Sequence, residues 1–149
     1  MKKLKALFAV SVMLSFMACN KSDPAPDPAT PAAGSFTCTI DGTAFTADSA
    51  HYVKTATQTF IEAWKGGVVK FEINLTGITA STYNVLMGTN DFIYWPSANY
   101  SGGTNGSVII TNYDNTANQI TGTFSTINTT GPGGAFTIAT GVFTKLHKL

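Results

Sequence analysis

The segment from Asp48 to His51 contains, within four residues, the side-chain types of a serine hydrolase. Asp48, Ser49 and His51 would supply the acid, the nucleophile and the base of a catalytic triad. A working triad takes its members from different parts of a fold and adds an oxyanion hole, and neighbours on one extended segment do not meet these conditions. We therefore predict a polar strand edge here and no catalytic residue.

Residues that could bind a metal ion are few and scattered. The chain has two histidines, His51 and His147, and two cysteines, Cys19 and Cys38. Cys38 alternates with apolar residues of a predicted strand, which favours a small buried side chain over a reactive thiol. The Asp/Asn-rich turn at residues 114–118 lacks the spacing of an EF-hand loop. The sequence predicts no metal site, no cofactor and no enzymatic activity.

Four aromatic residues lie on or beside predicted loops, namely Trp64, Tyr94, Trp95 and Tyr100. The last three fall in residues 88–106, the longest stretch that we predict to be irregular. Exposed aromatic rings stack against sugars or hold protein partners, so all four are candidate contacts for a ligand or a partner. The alternative is that they cap the ends of a β core.

A short apolar run precedes Cys19. Residues 1–5 carry three lysines, and the 13 residues 6–18 would span about 20 Å as a helix, short of the roughly 30 Å core of a bilayer. This is the pattern of a signal peptide. Residues 14–19 resemble a bacterial lipobox, with Phe16 where leucine usually stands. The resemblance implies acyl chains, palmitate among them, on Cys19, and two or more such chains anchor a protein durably. Cleavage at a non-lipidated site is the alternative.

Residues 19–34 have the composition of a tether that separates the anchor from one domain at residues 35–149. Four prolines lie among alanines here, which favours an extended spacer of about 3 Å per residue. From Cys19 onward, six lysines and no arginine stand against eight acidic residues, a net charge of −2. Because nucleic-acid binding needs clustered basic residues, we predict a membrane as partner, through the anchor, and no nucleic acid.

The domain has the pattern of β-strands separated by short turns. Asp-Gly at 41–42 and Gly-Gly at 66–67 predict tight hairpins. The clearest strand has apolar odd-numbered residues facing a core, Val69, Phe71, Ile73 and Leu75, and polar even-numbered residues facing water. Two strands close the chain, with a bulge or kink at Gly141 between them. We predict an all-β fold, either an antiparallel β-sandwich or a small, partly closed β-barrel.

Several blocks of the domain resemble an uncharacterised lipoprotein family of Bacteroidota. They include Thr-Ile-Asp-Gly at 39–42, Ile-Thr-Gly-Thr-Phe at 120–124 and Gly-Val-Phe at 141–143. The resemblance implies an all-β domain of unknown function in the cell envelope, on the outer membrane, with the side of that membrane undecided. Asn20 agrees with a place on the outer membrane, because in enteric bacteria an aspartate at this position tends to retain lipoproteins at the inner membrane. Asp48, Ser49 and Ala50 also match the O-glycosylation acceptor of that phylum, with Ser49 as the modified residue.

These observations leave three functions open. The first is a membrane-anchored, non-catalytic binding or accessory module, whose loop aromatic residues contact a glycan or an outer-membrane protein. The second is a structural or assembly protein of the outer membrane that offers only an interface. The third is a lipocalin-like carrier that holds an apolar ligand inside a small barrel.

Overall fold

The computed structural model describes residues 34–86, 88–125 and 127–149, and these form an all-β domain. The predicted signal peptide, Cys19 and all of the tether except Gly34 lie outside the described residues. Within the described part of the chain, no helix has the length and apolarity needed to cross a membrane. The strands are β1 (Ser35–Ile40), β2 (Thr43–Thr46), β3 (Ser49–Lys54), β4 (Thr59–Lys65), β5 (Val68–Leu75), β6 (Ser81–Asn84), β7 (Asp91–Tyr94), β8 (Ser101–Gly103), β9 (Ser107–Asp114), β10 (Gln119–Phe124), β11 (Ile127–Thr130) and β12 (Phe136–Lys148).

The strands form one sheet that curls into a partial ring, and β12 is the strand that joins its two sides. The other strands of the ring follow in the order β11-β8-β7-β5-β4-β3. The first of these, β11, pairs with the beginning of β12, and the last, β3, pairs with its end. On the other side, β10, β9 and β6 continue the sheet, and the β1–β2 hairpin also pairs with β12. Only the short β3–β12 pairing is parallel among the described strands. The predicted all-β, antiparallel fold is confirmed.

Both predicted glycine hairpins are present. Asp41 and Gly42 have φ angles of 47° and 79°, and Gly66 and Gly67 have 61° and 76°. Two consecutive positive φ angles define a type I′ turn, whose twist matches that of the flanking strands. These turns fix the registers of β1 with β2 and of β4 with β5.

The alternating strand is β5, and one of its residues departs from the predicted pattern. Phe71, Ile73 and Leu75 are fully buried, as expected. The register with β4 shifts by one residue between Ala63 and Trp64, so that Val69 lies opposite Trp64 and is only half-buried. The prediction that Val69 shares the buried face was wrong, because a β-bulge interrupts the period of two.

Aromatic rings fill the inner face of the sheet. The ring centroid of Phe71 lies 5.3 Å from that of Phe36, 5.0 Å from Phe45, 5.7 Å from Phe92 and 4.9 Å from Tyr94. At such distances the rings pack edge-to-face or offset, which adds to the stabilisation from burial. Cys38 is part of this core, as predicted.

The structure differs from the predicted elements in three places. Residues 88–106 are not irregular throughout, because they contain β7 and β8. β11, at Ile127–Thr130, was missed. The end of the domain is a single strand, β12, that continues through the expected bulge at Gly141. The extra residues are accommodated by positive φ angles at Thr140 and Lys145, of 49° and 50°.

Candidate functional site

Strand β8 has two adjacent glycines with opposite surroundings. A Cβ atom on Gly103 would lie 2.9 Å from Val85 Cγ1 and 3.0 Å from Phe92 Cβ, so the core packs directly on this backbone. A Cβ atom on Gly102 would meet nothing within 4 Å. Since neighbouring residues of a strand face opposite sides of the sheet, Gly103 permits tight packing inside and Gly102 leaves a gap outside.

The gap at Gly102 is the floor of a cleft on the outer face of the sheet. Gly102 lies opposite Ile93 of β7 and opposite Thr130 of β11, so these two side chains stand on either side of it. The cleft has a volume of about 420 Å³, compared with about 110 Å³ for a pocket beside the β3–β4 turn and about 220 Å³ for one beside Asp41. Its lining consists of Asp91, Phe92, Ile93, Tyr100, Gly102, Gly103, Thr130, Gly131 and Pro132.

Tyr100 forms one end of the cleft, and its backbone is held in place by the turn after β11. Gly133 N donates a hydrogen bond of 2.9 Å to Tyr100 O, and Ser101 Oγ donates one of 2.7 Å to Gly134 O. The side chain of Tyr100 is 51% exposed. The ring of Trp95 lies beside it, with centroids 6.3 Å apart and planes at 53°. The cleft therefore ends at the ring of Tyr100, whose backbone is hydrogen-bonded to the turn and whose ring lies beside that of Trp95.

Asp91 supplies the charged group of the cleft. It lies two residues before Ile93 on β7, on the same face of the strand. Gly88 N donates a hydrogen bond of 3.0 Å to Asp91 Oδ1. An ionised carboxylate accepts about four hydrogen bonds and donates none, so this group retains capacity for ligand donors. Of the residues that line the cleft, none is basic.

Comparison with known proteins places this β domain in a family. The sequence profile of a domain of unknown function, DUF6252, matches residues 32–147. The chain belongs to the DUF6252 family. No curated protein and no solved structure matches the chain. The prediction of an uncharacterised family is thus confirmed at the level of a DUF6252 domain of unknown function.

Of the four predicted aromatic contacts, the DUF6252 domain brings Trp95 and Tyr100 together and places the other two elsewhere. Tyr94 lies on the inner face, where its ring stacks on Phe71 and meets Phe136 edge-on at 5.1 Å. Burial raises the pKa of the Tyr94 hydroxyl above its usual value. For this residue the structure shows the alternative arrangement, an aromatic ring that closes the core.

Trp64 is also apart from the cleft. It lies on β4, which β5 separates from β7 in the sheet. Its ring is 6.4 Å from that of His51, and its Nε1 is buried without a hydrogen-bond acceptor among the described residues. An indole N–H that is shielded in this way is not presented to a ligand in this conformation.

The hydrolase-like residues of the DUF6252 domain are engaged with other partners. Lys65 Nζ donates a hydrogen bond of 2.7 Å to Asp48 Oδ1, and Gly66 N donates one of 2.8 Å to Asp48 Oδ2. These contacts, the Lys65 bond first, lower the pKa of Asp48. His51 Nε2 lies 3.1 Å from Glu62 Oε2. Asp48 and His51 are therefore not connected as in a triad, and Ser49 is exposed at the start of β3.

Metal-binding residues do not converge in the described part of the domain. No group of three or more His, Cys, Asp or Glu side chains is arranged there to hold a metal ion. Cys38 is buried, and that burial raises the pKa of its thiol to about 12. A thiol of such high pKa is a poor metal ligand and a poor nucleophile, because both roles require the thiolate.

The floor of the cleft is the part that sequence reasoning missed. Gly102 and Gly103 look like turn residues in the sequence, and only their pairing with β7 and β11 makes them a strand. Glycine inside a strand often marks a close approach of another backbone or of a ligand, and this was the available signal. The signal depends on a strand assignment, which the local pattern of residues 88–106 does not provide.

Proposed function

We propose that this chain is an envelope lipoprotein whose DUF6252 domain is a non-catalytic binding module. In this proposal, lipid on Cys19 holds the protein to a membrane, the outer membrane of a bacterium of the Bacteroidota, and the tether of residues 19–34 carries the domain away from it. Support for the anchor comes from the lipobox-like residues 14–19 after a short apolar run.

The observation that carries the binding role is the cleft over Gly102. Its volume of about 420 Å³ falls within the range of roughly 300–1,000 Å³ that is typical of small-molecule sites. Its walls are strands β7 and β8 and the turn after β11, which is hydrogen-bonded to Tyr100 and Ser101, so little backbone ordering is needed when a ligand binds. The lining offers aromatic and apolar surface and one carboxylate, without a nucleophile paired to a base. Such a lining suits recognition better than chemistry.

Other functions have less support from the arrangement of the residues. An apolar carrier would need room inside the sheet, where the rings of Phe36, Phe71, Phe92 and Phe124 pack together. A purely structural envelope protein would not need a glycine floor beside an exposed aromatic ring, as Gly102 and Tyr100 provide here.

Two experiments test the proposal. Fractionation of cells that express the whole chain should find it in the membrane fraction, and the Cys19→Ser variant should leave that fraction; membrane retention of the variant contradicts the anchor. Binding of glycans and of small apolar ligands should be lost in Gly102→Val, whose side chain fills the cleft. If Gly102→Val alters the binding of no ligand, but crosslinking captures an outer-membrane protein equally with both chains, the assembly role replaces the binding module.

A further inference from the structure

We infer that the ligand of the Gly102 cleft is an uncharged sugar unit of a glycan, which stacks on Tyr100 and donates a hydroxyl hydrogen bond to Asp91. This inference rests on the proposed binding function and adds the chemical class and the orientation of the ligand. It follows from three parts of the cleft that suit different parts of a sugar ring.

The aromatic end suits the apolar face of a sugar. Tyr100 presents a half-exposed ring, and the ring of Trp95 stands beside it at 53°. The face of an aromatic ring carries partial negative charge and attracts the polarised C–H groups on one face of a pyranose. Because the Tyr100 backbone is held by Gly133, stacking has to order only the side-chain torsions of Tyr100.

The floor suits a flat ring. Ile93 and Thr130 belong to the two strands that flank β8, and with strands about 4.8 Å apart they stand roughly 10 Å from each other across Gly102. No side chain rises between them, since a Cβ atom on Gly102 would meet only open space. A single sugar ring can lie in this gap against the backbone.

The polar end selects donors and rejects anions. Asp91 accepts a hydrogen bond from Gly88 N and can accept more, whereas Thr130 can either donate or accept. Sugar hydroxyls satisfy both groups. A ligand carboxylate or phosphate would be repelled by Asp91, and no basic residue lines the cleft to offset this. A wholly apolar ligand would cover the carboxylate without replacing its lost hydrogen bonds to water.

The test uses the whole chain, purified from membranes in detergent. Neutral oligosaccharides of glucose, mannose or N-acetylglucosamine are compared with uronic-acid oligosaccharides of the same length and with small apolar ligands. Affinity is measured by calorimetry. The variants are Tyr100→Ala, Tyr100→Phe, Asp91→Asn and Gly102→Val, and Val68→Ala, an exposed position outside the cleft lining, is the control. Far-ultraviolet circular dichroism checks that each variant is folded.

We expect a neutral oligosaccharide to bind and the uronic acids not to bind. Tyr100→Ala should weaken binding about tenfold, as expected for a lost stacking contact, while Tyr100→Phe and Val68→Ala stay close to the original affinity. Gly102→Val should abolish binding. Asp91→Asn should weaken binding of the neutral sugar and allow the uronic acid to bind, because the repulsion is removed.

Three outcomes overturn the inference, and they separate it from the proposed function. Preference for uronic acids, or neutral-sugar binding that survives both Tyr100→Ala and Gly102→Val, contradicts the sugar class or its position. If an apolar ligand binds, no sugar binds, and Gly102→Val abolishes binding of the apolar ligand, the inference is overturned and the binding module stands. If no ligand of any class binds in a way that depends on Gly102, both fail.

Discussion

Gly102 and Gly103 are neighbours in β8, and the core packs against one while the outer face is open above the other. The same strand thereby closes the interior and creates the candidate site. Ser101, the residue before them, is fully buried and fixes the turn that frames the cleft. The structural and binding roles of this strand can therefore be separated residue by residue.

The two glycines should respond differently to alanine. Gly102→Ala adds a methyl group in open space and reduces the entropy of the unfolded chain, so we expect the free energy of unfolding to stay unchanged or to rise by up to about 1 kcal/mol. Gly103→Ala forces a methyl group against Val85 and Phe92 and should cost about 1–3 kcal/mol. Urea unfolding of both variants, in the Cys19→Ser background without the lipid acceptor, gives the comparison. If the two variants unfolded at the same urea concentration, the assignment of Gly102 to the outer face and of Gly103 to the inner face would be contradicted.

Ser101→Ala should destabilise the turn that holds Tyr100. The substitution removes the 2.7 Å hydrogen bond to Gly134 O and leaves that carbonyl without its donor, which should cost about 1–2 kcal/mol. Ser107→Ala is the matched control, because the hydrogen bond of Ser107 Oγ to Ser125 Oγ is exposed, and its change should stay within about 0.5 kcal/mol. Urea unfolding measures both. A larger loss in Ser107→Ala than in Ser101→Ala would refute this role of Ser101.

The ion pair of Asp48 with Lys65 should make a small contribution to stability that depends on pH. Because contact with Lys65 and Gly66 lowers the pKa of Asp48, its contribution is present above the usual aspartate pKa of about 4 and disappears as the pH falls through the lowered value. Asp48→Asn should thus unfold at a slightly lower temperature at pH 7, since an exposed pair contributes little. This difference in melting temperature should vanish at the most acidic pH of a series of thermal melts. If it grew as the pH fell, the predicted direction of the pH dependence would be wrong.

The thiol of Cys38 should be inert in the folded protein. Burial raises its pKa to about 12, so almost none is thiolate at pH 8. In the Cys19→Ser background, where Cys38 is the remaining cysteine, a disulfide reagent should react fully in denaturant and hardly at all in native buffer. The absorbance of the released thiolate measures both rates. Rapid reaction of the folded protein would mean that the core opens at β1.

Local patterns in the sequence predicted the elements whose structure is decided locally. The type I′ turns at Asp41-Gly42 and Gly66-Gly67 need positive φ angles, and the dipeptides Asp-Gly and Gly-Gly predict such turns. β5 alternates strongly and was predicted, apart from Val69, whose place depends on a bulge set by the register with β4. β7 and β8 have four and three residues and carry little pattern of their own, so their pairing with β5 and β11 decides that they are strands.

The candidate site was predicted only in part, because it too depends on strand pairing. Trp95 and Tyr100 were identified by residue type, which does not depend on the fold. Tyr94 was grouped with them because adjacent loop residues have no defined faces. Once β7 is a strand, Tyr94 turns inward to stack on Phe71, and Trp95 lies next to Tyr100. Gly102 contributes by having no side chain, and its residue type becomes a signal only once residues 101–103 are known to be a strand.

Strand β12 is the last of the twelve in chain order, and it pairs with β1, β3, β10 and β11. Ser35 pairs with Thr144, more than a hundred residues later, so β1 has only its hairpin partner β2 until β12 is present. Contacts so distant along the chain make folding slow, and none of these pairings can form on a partly synthesised domain. The sheet can therefore close only once residues 136–148 have been synthesised, and before that point the chain can form local hairpins such as β4–β5 but no complete sheet.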